Sequence, residues 1–454
     1  MHELYSWPWV EGQSAQTIEV WNSAAGHPIP GGSIYTEAEQ QIREAAYDQA
    51  LASVEQEMKR PPATSSGRAQ ARDRIIAAFA RFSAAALDLD EPAVQLLTHD
   101  FLPVGTGLAQ WARRFDPDLP MAGIIQACRN AWTACGMQPL LGHAVQLTPS
   151  ILAYSLLYPY SDNYLDGEDA PTAAKLRFCL RFRDRLRGHA PVAENARESA
   201  LWNLVELIEI QYPRAPFPDV FACLLAIHRA QEESIAQGKD RGTAAQTGHE
   251  DEARILRMSC AKGGTSVLAD ACLAHGSLTP DESRFAFEWG VLLQLGDDLQ
   301  DLQDDMRRRS VTIFSQAASA GIPLDALAAQ LLNYGEAVAA RMDRLPHGDP
   351  VLKALLRMSW RSLIIRAVAD SHRFFSSEFL EQAERCSPFR FEFLRSRNER
   401  LTSHQGLYAN LFHAFLESSE ASSPGLLASS LSTARDQLPR PLTGPLHTRT
   451  IALP

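Results

Sequence analysis

Apolar residues recur at helical spacing along most of the chain, and clusters of Pro, Gly or Asp/Ser punctuate the recurrence. TEAEQQIREAAYDQALASVEQEM at 36–58 has helical composition, and PPATSSG at 61–67 breaks it. Ala- and Leu-rich segments follow at 68–88, 121–136, 150–166, 171–187, 198–211, 218–237, 251–275, 281–308, 323–343 and 351–382, each read as helix. No run alternates at period two for long enough to predict a strand, so the expected fold class is all-α. Residues 1–34, with Pro28, Pro30, Gly31 and Gly32, read as an irregular leader. From Ser418 the chain is rich in Ser and Pro, and a disordered tail is expected over 418–454. The expected organisation is leader and first helix at 1–67, one helical domain at 68–417, then the tail.

Composition narrows the function classes. With 454 residues, 45% hydrophobic and 21% charged, the chain has the balance of a soluble globular protein with a large core. A net charge of -11 argues against general affinity for nucleic acid or anionic membranes, and an anionic ligand would need local cations. The seven cysteines are odd in number and scattered, with no CxxC pair, which suggests reduced core thiols in the cytoplasm rather than disulfides or a zinc site. MHELYSWPWVEGQ has no basic start followed by an apolar run, and no apolar stretch reaches about 18 residues. An unsecreted protein without a transmembrane segment is expected.

Charge within the helical pattern carries the chemistry. QLGDDLQDLQDDMRRR at 294–309, laid on a helix, puts Asp297, Asp298, Asp301, Asp304 and Asp305 in an arc of about 120° that includes Gln294. Leu295, Leu299, Leu302 and Met306 fall opposite. Like charges at i,i+4 oppose helix formation, so the acidic face needs a cationic partner. Either Arg308 and Arg309, each four residues beyond an aspartate, neutralise a solvated face, or the face holds a ligand. A second stripe lies in SLLYPYSDNYLDGED at 155–169, where Asp162, Asp166 and Asp169 share an arc of roughly 60° if the helix continues. It reads equally as a helix end running into a surface turn. Two such helices face to face could share divalent cations, and Mg²⁺ favours a few carboxylates plus waters and phosphates. SCAKGGTSVLADACLAHG at 259–276 adds Lys262 before Gly263 and Gly264: small residues would let a ligand approach the backbone, and the lysine would meet a phosphate, unless the motif is a surface turn.

In that order, DNYLD, AKGGTSVL and GVLLQLGDDLQDLQDD resemble the class I isoprenoid synthase superfamily of prenyl diphosphate synthases, squalene and phytoene synthases and class I terpene synthases. Gln294, Asp297, Asp298 and Asp301 match the FQxxDDxxD pattern of trans-prenyl diphosphate synthases, and Asp305 continues it. Lys262 falls where the family has the lysine that binds the allylic diphosphate, and Gln231 in HRAQEES where a glutamine is common. The resemblance covers about residues 120–310 and is nearest to the bacterial group called class 1 isoprenoid biosynthesis enzymes. It implies a helical bundle around a central cavity, Mg²⁺ held by Asp162, Asp166, Asp169, Asp297, Asp298, Asp301 and Asp305, and a prenyl diphosphate bound with help from Lys262, Gln294, Arg308 and Arg309.

The departures shape the expected reaction. Chain-elongating members follow the first acidic motif with paired arginines and carry an upstream GKR element; here DNYLDGED runs into APTAAKLRF, and only Arg113, Arg114 and Arg129 offer substitutes. The NSE-type motif of many terpene synthases is replaced by DDLQD. The expectation is a class I terpene synthase, a lyase acting on one prenyl diphosphate. A prenyltransferase joining two diphosphates is the alternative. A non-catalytic helical protein whose acidic faces bind Ca²⁺ or a basic partner is the reading from another class. Homodimerisation is left open.

Overall fold

The computed structural model describes residues 4–59, 64–166, 170–237 and 249–403, and every regular element among them is helical. The expected tail, residues 404–417 and Asp169 lie outside the described residues. In chain order the helices are α1 (Trp7–Ser23), α2 (Glu37–Lys59), α3 (Ser65–Leu87), α4 (Glu91–Gln95), α5 (Leu102–Phe115), α6 (Met121–Leu140), α7 (Pro149–Asp166), α8 (Thr172–Leu186), α9 (Ala196–Gln211), α10 (Pro218–Gln237), α11 (His249–His275), α12 (Pro280–Gln300), α13 (Leu302–Arg308), α14 (Ile313–Ser319), α15 (Asp325–Asp343), α16 (Pro350–Asp370), α17 (Ser377–Arg385) and α18 (Phe391–Ser403). A π-helical turn at Leu96–Phe101 joins α4 to α5. No described helix is long and apolar enough to cross a membrane.

Local chemistry sets the helix starts. Thr279 and Glu282 cap α12 reciprocally: the hydroxyl accepts from the Glu282 N–H at 3.3 Å, the carboxylate accepts from the Thr279 N–H at 2.8 Å, and Pro280 occupies a first-turn position that needs no donor. α16 has half of this cap: Asp349 accepts from the Leu352 N–H at 2.8 Å, and Pro350 occupies the first turn.

α11 organises the bundle, bordering α1, α6, α7, α10, α12 and α14 and packing most extensively on α12. The expected irregular leader is wrong over Trp7–Ser23, which is the helix α1. Its buried stripe is Val10, Ser14, Thr17 and Trp21, half of it polar, so the helical period was hidden from a hydrophobicity reading. Trp9 meets Phe287 edge-on at 5.9 Å, and the Tyr5 and Ser283 hydroxyls hydrogen bond at 2.8 Å, joining this segment to α12. α2, α3 and α18 form an outer layer around Phe389, Phe393, Tyr47 and Phe82.

Other boundaries also move. The helix expected over 281–308 breaks at Asp301, and that expected over 351–382 splits into α16 and α17. The seven cysteines are all free, and six are buried.

Candidate functional site

The site is built where α11 crosses α12. A Cβ added to Gly290 would lie 2.1 Å from the Gly263 carbonyl oxygen, and one added to Gly263 would lie 2.4 Å from Gln294 Cβ. A Cβ on Gly264 would run into the Phe287 ring at 2.5 Å. The Gly-Gly pair therefore brings two helix backbones together; it does not open a path for a ligand to the backbone, as the sequence suggested. Nor is it a surface turn, because it lies inside α11. The close crossing puts Lys262 beside Gln294 and within electrostatic reach of Asp298.

Lys262 and Gln294 line one cavity together with Asp162 from α7 and Gln231 from α10. The rest of its wall is largely apolar, with Leu157, Phe182, Leu186, Leu224 and Ile227. The empty volume is about 580 Å³ with the open mouth included. Its enclosed part has room for only a few waters.

Each of the two buried carboxylates is held by a glutamine. Gln231 Nε2 donates to Asp162 Oδ1, which also accepts from Ser161 Oγ at 3.2 Å. Gln294 Nε2 donates to Asp298 Oδ1 at 2.8 Å, and Ser259 Oγ to Oδ2 at 3.1 Å. Asp162 is 4% exposed and Asp298 7%, so neither belongs to a solvated acidic face. Amide donors orient these acids without neutralising them. Asp166 ends α7, and its side chain, like Asp169, lies outside the described residues.

Beyond Asp298 the acids crowd together. Burial pushes Asp298 up to about 6, and the Asp297 charge adds to the shift against the Gln294 hydrogen bond. Asp301 is pushed up to about 6 by burial, Asp297 and Asp304, and Asp305 up to about 7 by burial and by Asp298, Asp301 and Asp297. Arg308 opposes both latter shifts. A set of oxygen donors that repel one another and resist ionising is the chemistry a hard divalent cation relieves.

The flanking cations are arranged differently from the expected i,i+4 pairs. Asp301 takes the terminal position of α12 at φ -86°, ψ 7°, and Arg309 ends α13 in the left-handed region at φ 57°. Arg307 pairs with Asp304, while Arg308 and Arg309 are exposed. The sequence assumed a continuous helix, which the turn at Asp301 interrupts. Of the upstream arginines, Arg129 on α6 reaches Asp297 at 3.5 Å. Arg113 donates to the Pro117 and Leu119 carbonyls at 3.0 and 2.6 Å and holds the turn between α5 and α6. Arg114 is exposed.

Sequence reasoning passed over Tyr154, Phe182 and His228, which also line the cavity. His228 Nε2 lies 2.9 Å from the Cys179 carbonyl and 3.5 Å from Glu232 Oε1. A carbonyl only accepts, so Nε2 carries the proton in the neutral ring. Ligand atoms of Cys179, His228 and Glu232 lie within 4.8 Å of one another. Two features oppose a metal there: Arg183 lies 3.1 Å from Glu232, and burial pushes the Cys179 thiol up to about 12.

No family model, curated protein or solved structure matches this chain.

Proposed function

We propose that the chain is a Mg²⁺-dependent class I terpene synthase that ionises one linear prenyl diphosphate, releases inorganic diphosphate and yields a terpene hydrocarbon or alcohol. One observation carries the reading: Asp162, Gln231, Lys262 and Gln294, from four helices, line one largely apolar cavity, with Asp298 bonded directly behind Gln294. The mutually repelling acids Asp298, Asp301 and Asp305, with Asp297 beside them, offer the oxygen donors Mg²⁺ takes, and together with Asp162 from the cavity wall they would hold it. When bound, the ion supplies Lewis-acid stabilisation of the departing diphosphate.

The chain's own residues do the remaining work. Lys262 sets a fixed positive charge at the polar end of the cavity, and Arg129 at the acid cluster's edge adds a second. Gln231 and Gln294 hold two carboxylates in one orientation, so little rearrangement is needed as charge develops. Leu157, Phe182, Leu224 and Ile227 keep water from the allylic cation.

The test is to incubate purified protein with Mg²⁺ and single prenyl diphosphates of several chain lengths, with and without isopentenyl diphosphate. Inorganic diphosphate and extractable products are then measured. Turnover of a single prenyl diphosphate, abolished in Asp162→Asn, is expected. Longer diphosphates formed only when isopentenyl diphosphate is present would replace the synthase with a prenyltransferase, in which Arg129 is the nearest candidate for a second anion. No diphosphate release from any substrate would end the enzyme reading.

A further inference from the structure

The cavity-facing side of α10 carries Leu224, Ile227, His228 and Gln231. Gln231 serves Asp162, whereas His228 is not used by the ionisation step. Its ring is 2% exposed and held on two sides: Nε2–H donates to the Cys179 carbonyl on α8 at 2.9 Å, and Phe182 packs edge-on with centroids 4.9 Å apart. Nδ1 is buried and has no hydrogen-bond partner. A buried ring nitrogen with an unused lone pair is costly unless something else occupies it. With the proton on Nε2, this nitrogen holds the ring's lone pair, and the ring lines the cavity beside Leu224, Ile227, Leu186 and Phe182.

Glu232 gives the base its second half. Its Oε1 lies 3.5 Å from Nε2, on the far side of the ring from Nδ1. Against the raising effect of burial, the His228 hydrogen bond and the Arg183 charge hold its carboxyl below the ordinary value, so it is ionised. An imidazolium formed by protonation at Nδ1 would be met at Nε2 by a carboxylate and a carbonyl. A base in turn oriented by an acid is the arrangement that makes histidine an effective proton acceptor. Among the other polar groups of the wall, Lys262 is a cation, Gln231 and Gln294 are amides, Tyr154, Ser161 and Ser266 carry weakly basic hydroxyls, and Asp162 Oδ1 already accepts two hydrogen bonds.

We propose that His228 Nδ1 is the proton acceptor that ends the reaction, so that the chain releases an alkene rather than an alcohol. The inference rests on the synthase reading. The C–O bond to the diphosphate breaks with its electron pair leaving on the diphosphate. A C–H bond next to the resulting cationic carbon then breaks, its pair forming the new C=C bond while the proton passes to Nδ1. The imidazolium returns this proton to water or to the diphosphate as products leave.

The experiment compares wild type with His228→Gln and Glu232→Gln, measuring inorganic diphosphate and the alkene-to-alcohol ratio in parallel, with circular dichroism confirming the fold. Glutamine can still donate to the Cys179 carbonyl but offers no basic nitrogen. In His228→Gln, diphosphate release should persist at a reduced rate while the alkene-to-alcohol ratio falls about 100-fold, the low end of general-base contributions. Glu232→Gln should move the ratio the same way by less, and it decides the matter if His228→Gln does not fold. An unchanged ratio in a folded variant that still releases diphosphate overturns the base and leaves the synthase standing. Absence of diphosphate release from wild type overturns both.

Discussion

Lowering the pH from about 8 to about 6 should weaken Mg²⁺ binding about 40-fold and should make binding expel about two protons. The perturbation acts on Asp298, Asp301 and Asp305, whose carboxyls are pushed up to about 6, about 6 and about 7. If an ion requires all three ionised, the competent fraction is about one part in 44 at pH 6 and about nine-tenths at pH 8, a difference of about 2 kcal/mol. The protons belong to the cluster rather than to single residues, because the acids titrate together. Isothermal titration calorimetry in buffers of different ionisation heat counts them: about two at pH 6 and about 0.1 at pH 8. Equal affinity at both pH values, with no proton release at pH 6, would refute the reasoning. The same shifts set the sign for the metal-free fold. Folded values above the ordinary aspartate range mean a stabilising contribution that is complete below that range and is lost as pH rises through about 6 to 7.

Gly290→Ala should destabilise by about 3 kcal/mol or more, because its Cβ would sit 2.1 Å from a backbone oxygen that cannot swing away; Gly136→Ala, 3.6 Å from flexible Leu356, should be neutral or stabilising in the same denaturant titrations. Equal effects of the two would remove the helix crossing from the account. Asp270 is 1% exposed, accepts from Asn130 Nδ2 at 3.3 Å, and burial raises its pKa well above the ordinary value. Its contribution is present below the unfolded-state pKa and is lost as pH rises, so the melting temperature of Asp270→Asn relative to wild type should climb between pH 4 and 8; a flat difference would contradict burial as the cause.

Much of the helical pattern was legible because buried positions such as Leu152, Leu156, Leu292 and Leu295 repeat with strongly apolar side chains. α1 was not, because Ser14 and Thr17 stand in its buried stripe. The turn at Asp301 was missed because neither Gly nor Pro marks it. The convergence of Asp162, Lys262 and Gln294 on one cavity was an expectation of the family resemblance that the three motifs carry, and helix geometry alone left it open. What the Gly-Gly pair does could not, since a close approach to a helix and one to a ligand ask for the same small residue. His228 carried no signal either: a histidine on an apolar helix face is usually a core residue, and only the partnerless Nδ1 and the cavity beside the ring separate it from that class.

The central claim is that acids on α7 and α12 hold divalent metal against a diphosphate in one cavity. Anomalous diffraction from crystals grown with Mn²⁺ and inorganic diphosphate tests it most directly. Manganese ligated by Asp162 on one side and by Asp298 with Asp301 or Asp305 on the other, with Lys262 on the diphosphate, is the expected result. Manganese bound only at exposed carboxylates away from the cavity, with diphosphate absent beside Lys262, would contradict it.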